Sequence, residues 1–231
     1  VPELKSDFSF TLCKKLIFSK TKIKWMCFTR TDLVDKELLA YMKVSGCYLI
    51  TFGCESGNDK TLSLLKKRLT VAKNYEGIAL TDSAGILAAS TFMMGLPGED
   101  HFDIERTISF AKNSKLTFAY FPIFEPYKGT EIFELSNERG VWLSGSKFKN
   151  RILNYQEKVW VPEGFTRDEI EVYVRRAFKE FYLRYQIIDR VGNKIISKIP
   201  FSRKVKFILS GFDYLFLEKF RNTQRRFGSR Y

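Results

Sequence analysis

The stretch Ala88-Ala89-Ser90-Thr91-Phe92-Met93-Met94-Gly95-Leu96-Pro97-Gly98-Glu99 decides the fold. Its first half is a short run rich in apolar side chains, and its second half is a turn bracketed by glycines and closed by an acid. A run this short, bounded by turn residues, reads as a buried strand. The pattern recurs upstream, where Cys47-Tyr48-Leu49-Ile50-Thr51-Phe52 enters Gly53-Cys54-Glu55-Ser56-Gly57. Each run follows a helix-like segment that stops at a glycine, Gly46 or Gly85. This is one unit used twice. Helix, glycine stop, apolar strand and tight loop together are how a parallel α/β sheet or barrel builds a ligand site at the C-terminal ends of its strands.

Outward from these runs, alternating elements continue in both directions. Residues 9–20 have helical spacing in Leu12, Leu16 and Ile17, and residues 23–28 read as a strand. Asp35 caps a helix that carries Leu38, Leu39 and Met42 on one face. Residues 60–67, 72–83 and 103–112 read as helices, and residues 116–124 as a last apolar strand interrupted by Pro122. Four βα-type units imply a parallel sheet with right-handed crossovers. A composition shift divides the chain into a core, residues 1–145, and a basic, mainly helical C-terminal extension, residues 146–231. Within the extension, residues 156–164 are expected to be irregular around Pro162. Thr166-Arg167-Asp168-Glu169 resembles a capping box opening a helix over 169–185. Beyond Lys194, bulky apolar residues alternate with Lys and Arg, and this tail is expected to pack back on the core.

With 231 residues and 45% hydrophobic content the chain can bury a real core. No run approaches the length of apolar residues that crosses a bilayer. The N-terminal residues lack the basic-then-apolar pattern of a signal peptide. Four scattered cysteines fit a reducing compartment, so a cytoplasmic location, membrane-peripheral at most, is expected. The net charge of +13 points to an acidic partner. A solvated basic face is the plainest reading and a peripheral contact with an anionic membrane surface the next. Nucleic acid comes last, because no RNA-binding module signature is legible.

Four runs then occur in an order that resembles a known family: Trp25-Met26-Cys27-Phe28-Thr29-Arg30, Phe52-Gly53-Cys54-Glu55-Ser56-Gly57, Phe92 through Glu99, and Pro126-Tyr127-Lys128-Gly129-Thr130-Glu131. Together they are similar to the radical S-adenosylmethionine (SAM) superfamily, most of all to its members with a cobalamin-binding domain ahead of the core. The resemblance implies a partial TIM-type barrel of which strands three to six are present, incomplete at its start and followed by a helical C-terminal extension. It also implies SAM, a [4Fe-4S] cluster and, through an upstream domain, cobalamin. The activity implied is reductive cleavage of SAM to a 5'-deoxyadenosyl radical, for hydrogen abstraction or radical methylation of an unknown small-molecule or lipid-like substrate.

One departure stands against these matches. The family holds its cluster on a Cys-x3-Cys-x2-Cys loop, whereas Cys13, Cys27, Cys47 and Cys54 are far apart in sequence. The simplest account makes residues 1–7 the end of the second strand and its turn, with the cluster loop upstream, so that this stretch alone is inactive. The alternative is a non-catalytic barrel relic acting as a basic membrane-surface or RNA-binding protein.

The resemblance also assigns residues. Arg30 would pair with the SAM carboxylate, unless it pairs with Asp32 or Asp35 instead. Glu55, assisted by Ser56, would accept from the SAM amino or ribose groups. Gly95, Leu96 and Pro97 would pack the adenine, and Tyr127 belongs to a loop that ends the sixth strand. Glu99 is expected to cap the following helix. The lone His101 reads as a surface residue, and the cysteines read as small hydrophobes. No metal ligand and no nucleophile with an adjacent base is legible.

Overall fold

The computed structural model describes residues 2–20, 22–144 and 158–184. Helix α1 (Pro2–Phe18) leads into β1 (Trp25–Thr29), and α2 (Lys36–Val44) leads into β2 (Cys47–Glu55). Next, α3 (Asp59–Leu64) and α4 (Val71–Ser83) precede β3 (Leu87–Phe92), and α5 (His101–Asn113) precedes β4 (Phe118–Tyr120). The four strands form one parallel sheet in the order β1-β2-β3-β4. Sequential order with parallel pairing is what repeated βα units produce, since each helix must carry the chain back along one face. Then follow α6 (Glu131–Glu138), an antiparallel pair of β5 (Gly140–Ser144) and β6 (Lys158–Pro162), and α7 (Arg167–Tyr182).

Local chemistry sets the boundaries. Asp35 accepts from the Leu38 N–H at 2.8 Å and starts α2, while α5 and α7 open with the capping boxes Asp100/Asp103 and Thr166/Glu169. Gly46 follows α2 with φ +102°, and a Cβ there would lie 2.1 Å from the Ile23 carbonyl oxygen. No other residue type fits where the entries to β1 and β2 cross. The core lies between the sheet and its helices: Ile50 and Phe52 of β2 and Phe92 of β3 are buried with Leu39, Ile78, Ile104 and Ile108.

The other face of the sheet is open. Register aligns Phe28, Thr51, Ala89 and Phe118 in one row across all four strands, yet Phe28 is 77% exposed and Met26, two residues before it, 43%. Tyr120, on the same face at the far edge, is also exposed. Among the described residues β1 has no partner on its outer edge.

Three expectations are corrected. Residues 2–7 belong to α1 and not to a strand end. Pro2 sits at the first helical position, where its missing N–H costs nothing, and Glu3, Leu4 and Lys5 are good helix formers. Residues 158–162 are a strand and not an irregular stretch: Pro162 is its last residue, opposite Gly140, where a two-stranded ribbon tolerates proline. The last core strand shortens to Phe118–Tyr120, because pairing breaks before Pro122 and resumes only as a single bridge between Met94 and Ile123. The helix expected over 169–185 is α7. The tail beyond Lys194 lies outside the described residues.

Helix α7 is fastened to the open edge of the sheet. The Tyr182 hydroxyl donates to the Ala119 carbonyl at 2.9 Å and accepts from the Ala119 N–H at 3.2 Å. Tyr182→Phe is expected to destabilise the fold by about 1–2 kcal/mol, since both backbone groups of one buried residue lose their partner. Urea unfolding checks this; an unchanged midpoint would show that water replaces the hydroxyl freely.

Candidate functional site

Glu55, the last residue of β2, holds φ +64°, a left-handed backbone that a non-glycine residue seldom adopts. The β2–β3 register slips here, from Gly53 opposite Thr91 to Glu55 opposite Phe92. A bulge of this kind re-aims a side chain. The Met93 N–H closes the distortion by donating to the Glu55 carbonyl at 2.8 Å. The carboxylate then lies 2.8 Å from Lys67 Nζ, with the glutamate side chain 10% and the lysine 32% exposed. Gly53 makes the room, since a Cβ there would lie 2.7 Å from the Glu55 carboxylate. A strained residue at a strand end is a reason to look for function.

Ser56 is fully buried. Its hydroxyl lies 3.1 Å from that of Thr107 on α5 and accepts from the Asn58 N–H at 3.2 Å. The Gly57 N–H donates to the same Thr107 hydroxyl at 3.0 Å. Ser56 thus ties the loop to α5 and keeps Glu55 in place.

The second loop leaves β3 next to the first. Gly95 turns the chain with φ +78°. The N–H groups of Gly95 and Leu96 donate to one Glu99 carboxylate oxygen at 3.1 and 2.9 Å. Asp100, and not Glu99, caps α5. Glu99 folds back to brace the turn because it precedes the cap and cannot reach the first helical N–H groups. Burial, with a smaller contribution from Asp103, pushes its carboxyl up to about 8, and its second oxygen has no hydrogen-bond partner. The Leu96 side chain packs inward on Phe124 and Trp160, and Pro97 is buried too. Gly95 itself is buried, with Ile170 of α7 3.1 Å from where a Cβ would stand, so this turn is closed by α7 and by Glu99.

Arg30 follows the Thr29–Phe52 pair and forms a bidentate pair with Asp32, at 2.9 and 2.8 Å. Tyr127 is 69% exposed, and its carbonyl accepts the Thr130 hydroxyl at 2.7 Å. The structure brings Glu55, Ser56 and the Gly95-Leu96 turn to adjacent strand ends, with Arg30 one strand further along. Tyr127 lies beyond β4 and makes no hydrogen bond to the others.

Lys67 and Thr107 were not among the residues singled out in the sequence. Lys67 stands in the run Lys66-Lys67-Arg68, which reads as a solvated patch. Only the left-handed turn at Lys66 and Arg68, with φ +53° and +52°, returns it to the end of β2.

A carboxylate held by a lysine at a strand end, beside an open sheet face carrying Phe28 and Tyr120, suits a ligand with one cationic group and a flat apolar part. Residues 5–111 match the model of the radical SAM superfamily. Over that stretch the chain is similar to a radical SAM core. The chain is 27% identical over 190 residues to an uncharacterized methyltransferase of Pyrococcus horikoshii, covering 79% of this chain and 41% of that protein. It is 29% identical over 165 residues to the anaerobic magnesium-protoporphyrin IX monomethyl ester cyclase of Cereibacter sphaeroides, covering 71% and 26%. In structure it resembles the radical SAM methyltransferase TsrM of Kitasatospora setae, solved with cobalamin and a [4Fe-4S] cluster bound, with a TM-score of 0.61, 11% identity, and 73% of this chain and 40% of that one covered. The chain thus spans less than half the length of these relatives.

The superfamily works with SAM and a [4Fe-4S] cluster, and the two fit the described residues differently. For SAM they offer the Glu55 carboxylate, which could accept from an amino group beside Lys67. The cluster finds no ligands: among the described residues no three His, Cys, Asp or Glu side chains are grouped to hold a metal. Cys13, Cys47 and Cys54 are buried, and burial pushes the Cys54 thiol up to about 12, away from the thiolate that iron requires. Among the described residues no helix is long and apolar enough to cross a membrane.

Proposed function

We propose that this chain supplies the SAM-positioning part of a radical SAM enzyme, acting by hydrogen abstraction or radical methylation on an unidentified organic substrate, with the cluster ligands contributed by residues outside this sequence. The observation that carries the reading is Glu55, held left-handed at the mouth of the sheet between Gly53 and Gly57 and paired with Lys67. Glu55 would hold the cationic part of SAM, and the Gly95 turn, braced by Glu99, would stand beside the adenine. SAM, when bound, supplies the radical chemistry; the residues here orient it and exclude water.

Two features support incompleteness. The outer edge of β1 is unpaired among the described residues, and Phe28 is mostly exposed on the face where a barrel would close. The methyltransferase names among the relatives favour methyl transfer within the radical SAM class, and cobalamin would then enter through a further domain.

Anaerobic reconstitution of the 231-residue chain with iron and sulfide, followed by iron analysis, tests it. The expected outcome is no stoichiometric cluster and no SAM cleavage, with both restored in a longer protein that carries a Cys-x3-Cys-x2-Cys loop. A stoichiometric cluster on this chain alone would overturn the division of labour proposed here.

A further inference from the structure

The pole of the sheet opposite the candidate site carries a feature that SAM chemistry does not use. Residues 8–24, which lead into β1, hold five lysines and no acidic residue. The end of α1, the segment entering β1 and the turn between α2 and β2 meet there around a cavity of about 360 Å³, lined by Ile17, Ile23 and Val44 together with Lys20, Lys22 and Lys24. Apolar side chains stand out into solvent around it: Phe18 is 81%, Val44 72% and Ile23 46% exposed. These segments precede β1 and β2, whereas Glu55 and Gly95 follow β2 and β3. In a parallel sheet the two groups lie at opposite ends.

We propose that this pole is a docking surface for an anionic membrane. The lysines Lys20, Lys22 and Lys24 would meet acidic headgroups, while Phe18, Ile23 and Val44 enter the boundary between headgroups and acyl chains. The charge is complementary to such a surface, since an acid-free basic stretch is attracted to the negative leaflet by about 1 kcal/mol per lysine, or roughly fivefold in partition each. The apolar residues decide between polyanions. Two of the three are aliphatic, and isoleucine and valine gain nothing from a phosphate backbone or a stacked base, whereas they gain from an interface that is apolar beneath its charge. Docking at this end leaves the loops after β2 and β3 free to take ligand.

The test uses the whole chain with phosphatidylcholine vesicles made with and without phosphatidylserine. Binding is expected only to the anionic vesicles. The triple variant Lys20→Gln, Lys22→Gln, Lys24→Gln is expected to lose on the order of a hundredfold in partition. Phe18→Ser is expected to weaken what binding persists at high salt, where the charge attraction is screened. Phe18→Trp is expected to show emission shifted to the blue on anionic vesicles, read against the parent chain. All these positions are exposed, and circular dichroism confirms folding; should the triple variant not fold, Lys22→Gln and Phe18→Trp carry the same test. Unchanged partition in the lysine variants, or tryptophan emission that vesicles do not move, would overturn the proposal. So would single-stranded RNA bound more tightly than vesicles and indifferent to Phe18→Ser, which would make the pole a nucleic-acid surface.

Discussion

Glu99→Gln is expected to leave the melting temperature almost unchanged near pH 4 and to raise it by roughly 6–20 °C near pH 9. The cause is the buried carboxyl, pushed from an ordinary 4.5 up to about 8 by desolvation first and by the charge of Asp103 after that. Between those two values the folded chain holds a proton that the unfolded chain has released, so stability falls as pH rises from 4.5 and stops falling above about 8. By linkage a shift of this size is worth roughly 3–5 kcal/mol, fully present in acid and lost by pH 9. The groups facing Glu99 set the direction. The Gly95 and Leu96 N–H groups and Lys60 favour the carboxylate, Asp103 opposes it, and burial outweighs them all. Glutamine keeps the oxygen that accepts from Gly95 and Leu96 and cannot ionise, while its amide nitrogen takes the place of an oxygen already without a partner. The two proteins should therefore match in acid and diverge in base. Melting curves collected across this range decide the matter, and parallel profiles would show that Glu99 titrates as an ordinary carboxylate.

How much of this was legible in the sequence differs residue by residue. The run from Cys47 to Phe52 and the run ending at Gly95 announced buried strands because both are short, apolar and closed by glycine turns, and the parallel order of the sheet followed from their repetition. Glu55 was legible because an acid directly after such a strand has no packing reason to be there. Its partner Lys67 was not, because three consecutive basic residues look alike until the backbone turn at Lys66 and Arg68 selects one of them. Glu99 was legible as an acid near a helix start but not as a brace, since Asp100 and Asp103 compete for the same cap and only the three-dimensional turn shows which carboxylate is left to reach Gly95. Strand β6 escaped notice because its run is short and ends in Pro162, a residue that reads as a strand breaker until the register places it at the strand's last position. The helical start of α1 was misread for a different reason: a resemblance to a family supplied a strand where Pro2 and the residues after it favour a helix.

The central claim is that SAM is held at the end of β2, and SAM affinity in the longer, cluster-bearing enzyme tests it most directly. Glu55→Gln keeps the shape of the side chain and removes its charge. Loss of one charge-assisted hydrogen bond to SAM should weaken binding by about 1.5–3 kcal/mol, roughly one to two powers of ten. The pair with Lys67 is partly solvated, so its loss should cost about 1 kcal/mol or less and shift the melting temperature by no more than roughly 2–4 °C. Calorimetric titration of SAM into parent and variant, with melting curves on the same samples, separates the two effects. Affinity is expected to fall tenfold or more with the midpoint nearly unmoved; unchanged affinity with a clearly lowered midpoint would contradict SAM binding at Glu55 and make it a residue that shapes the turn and nothing more.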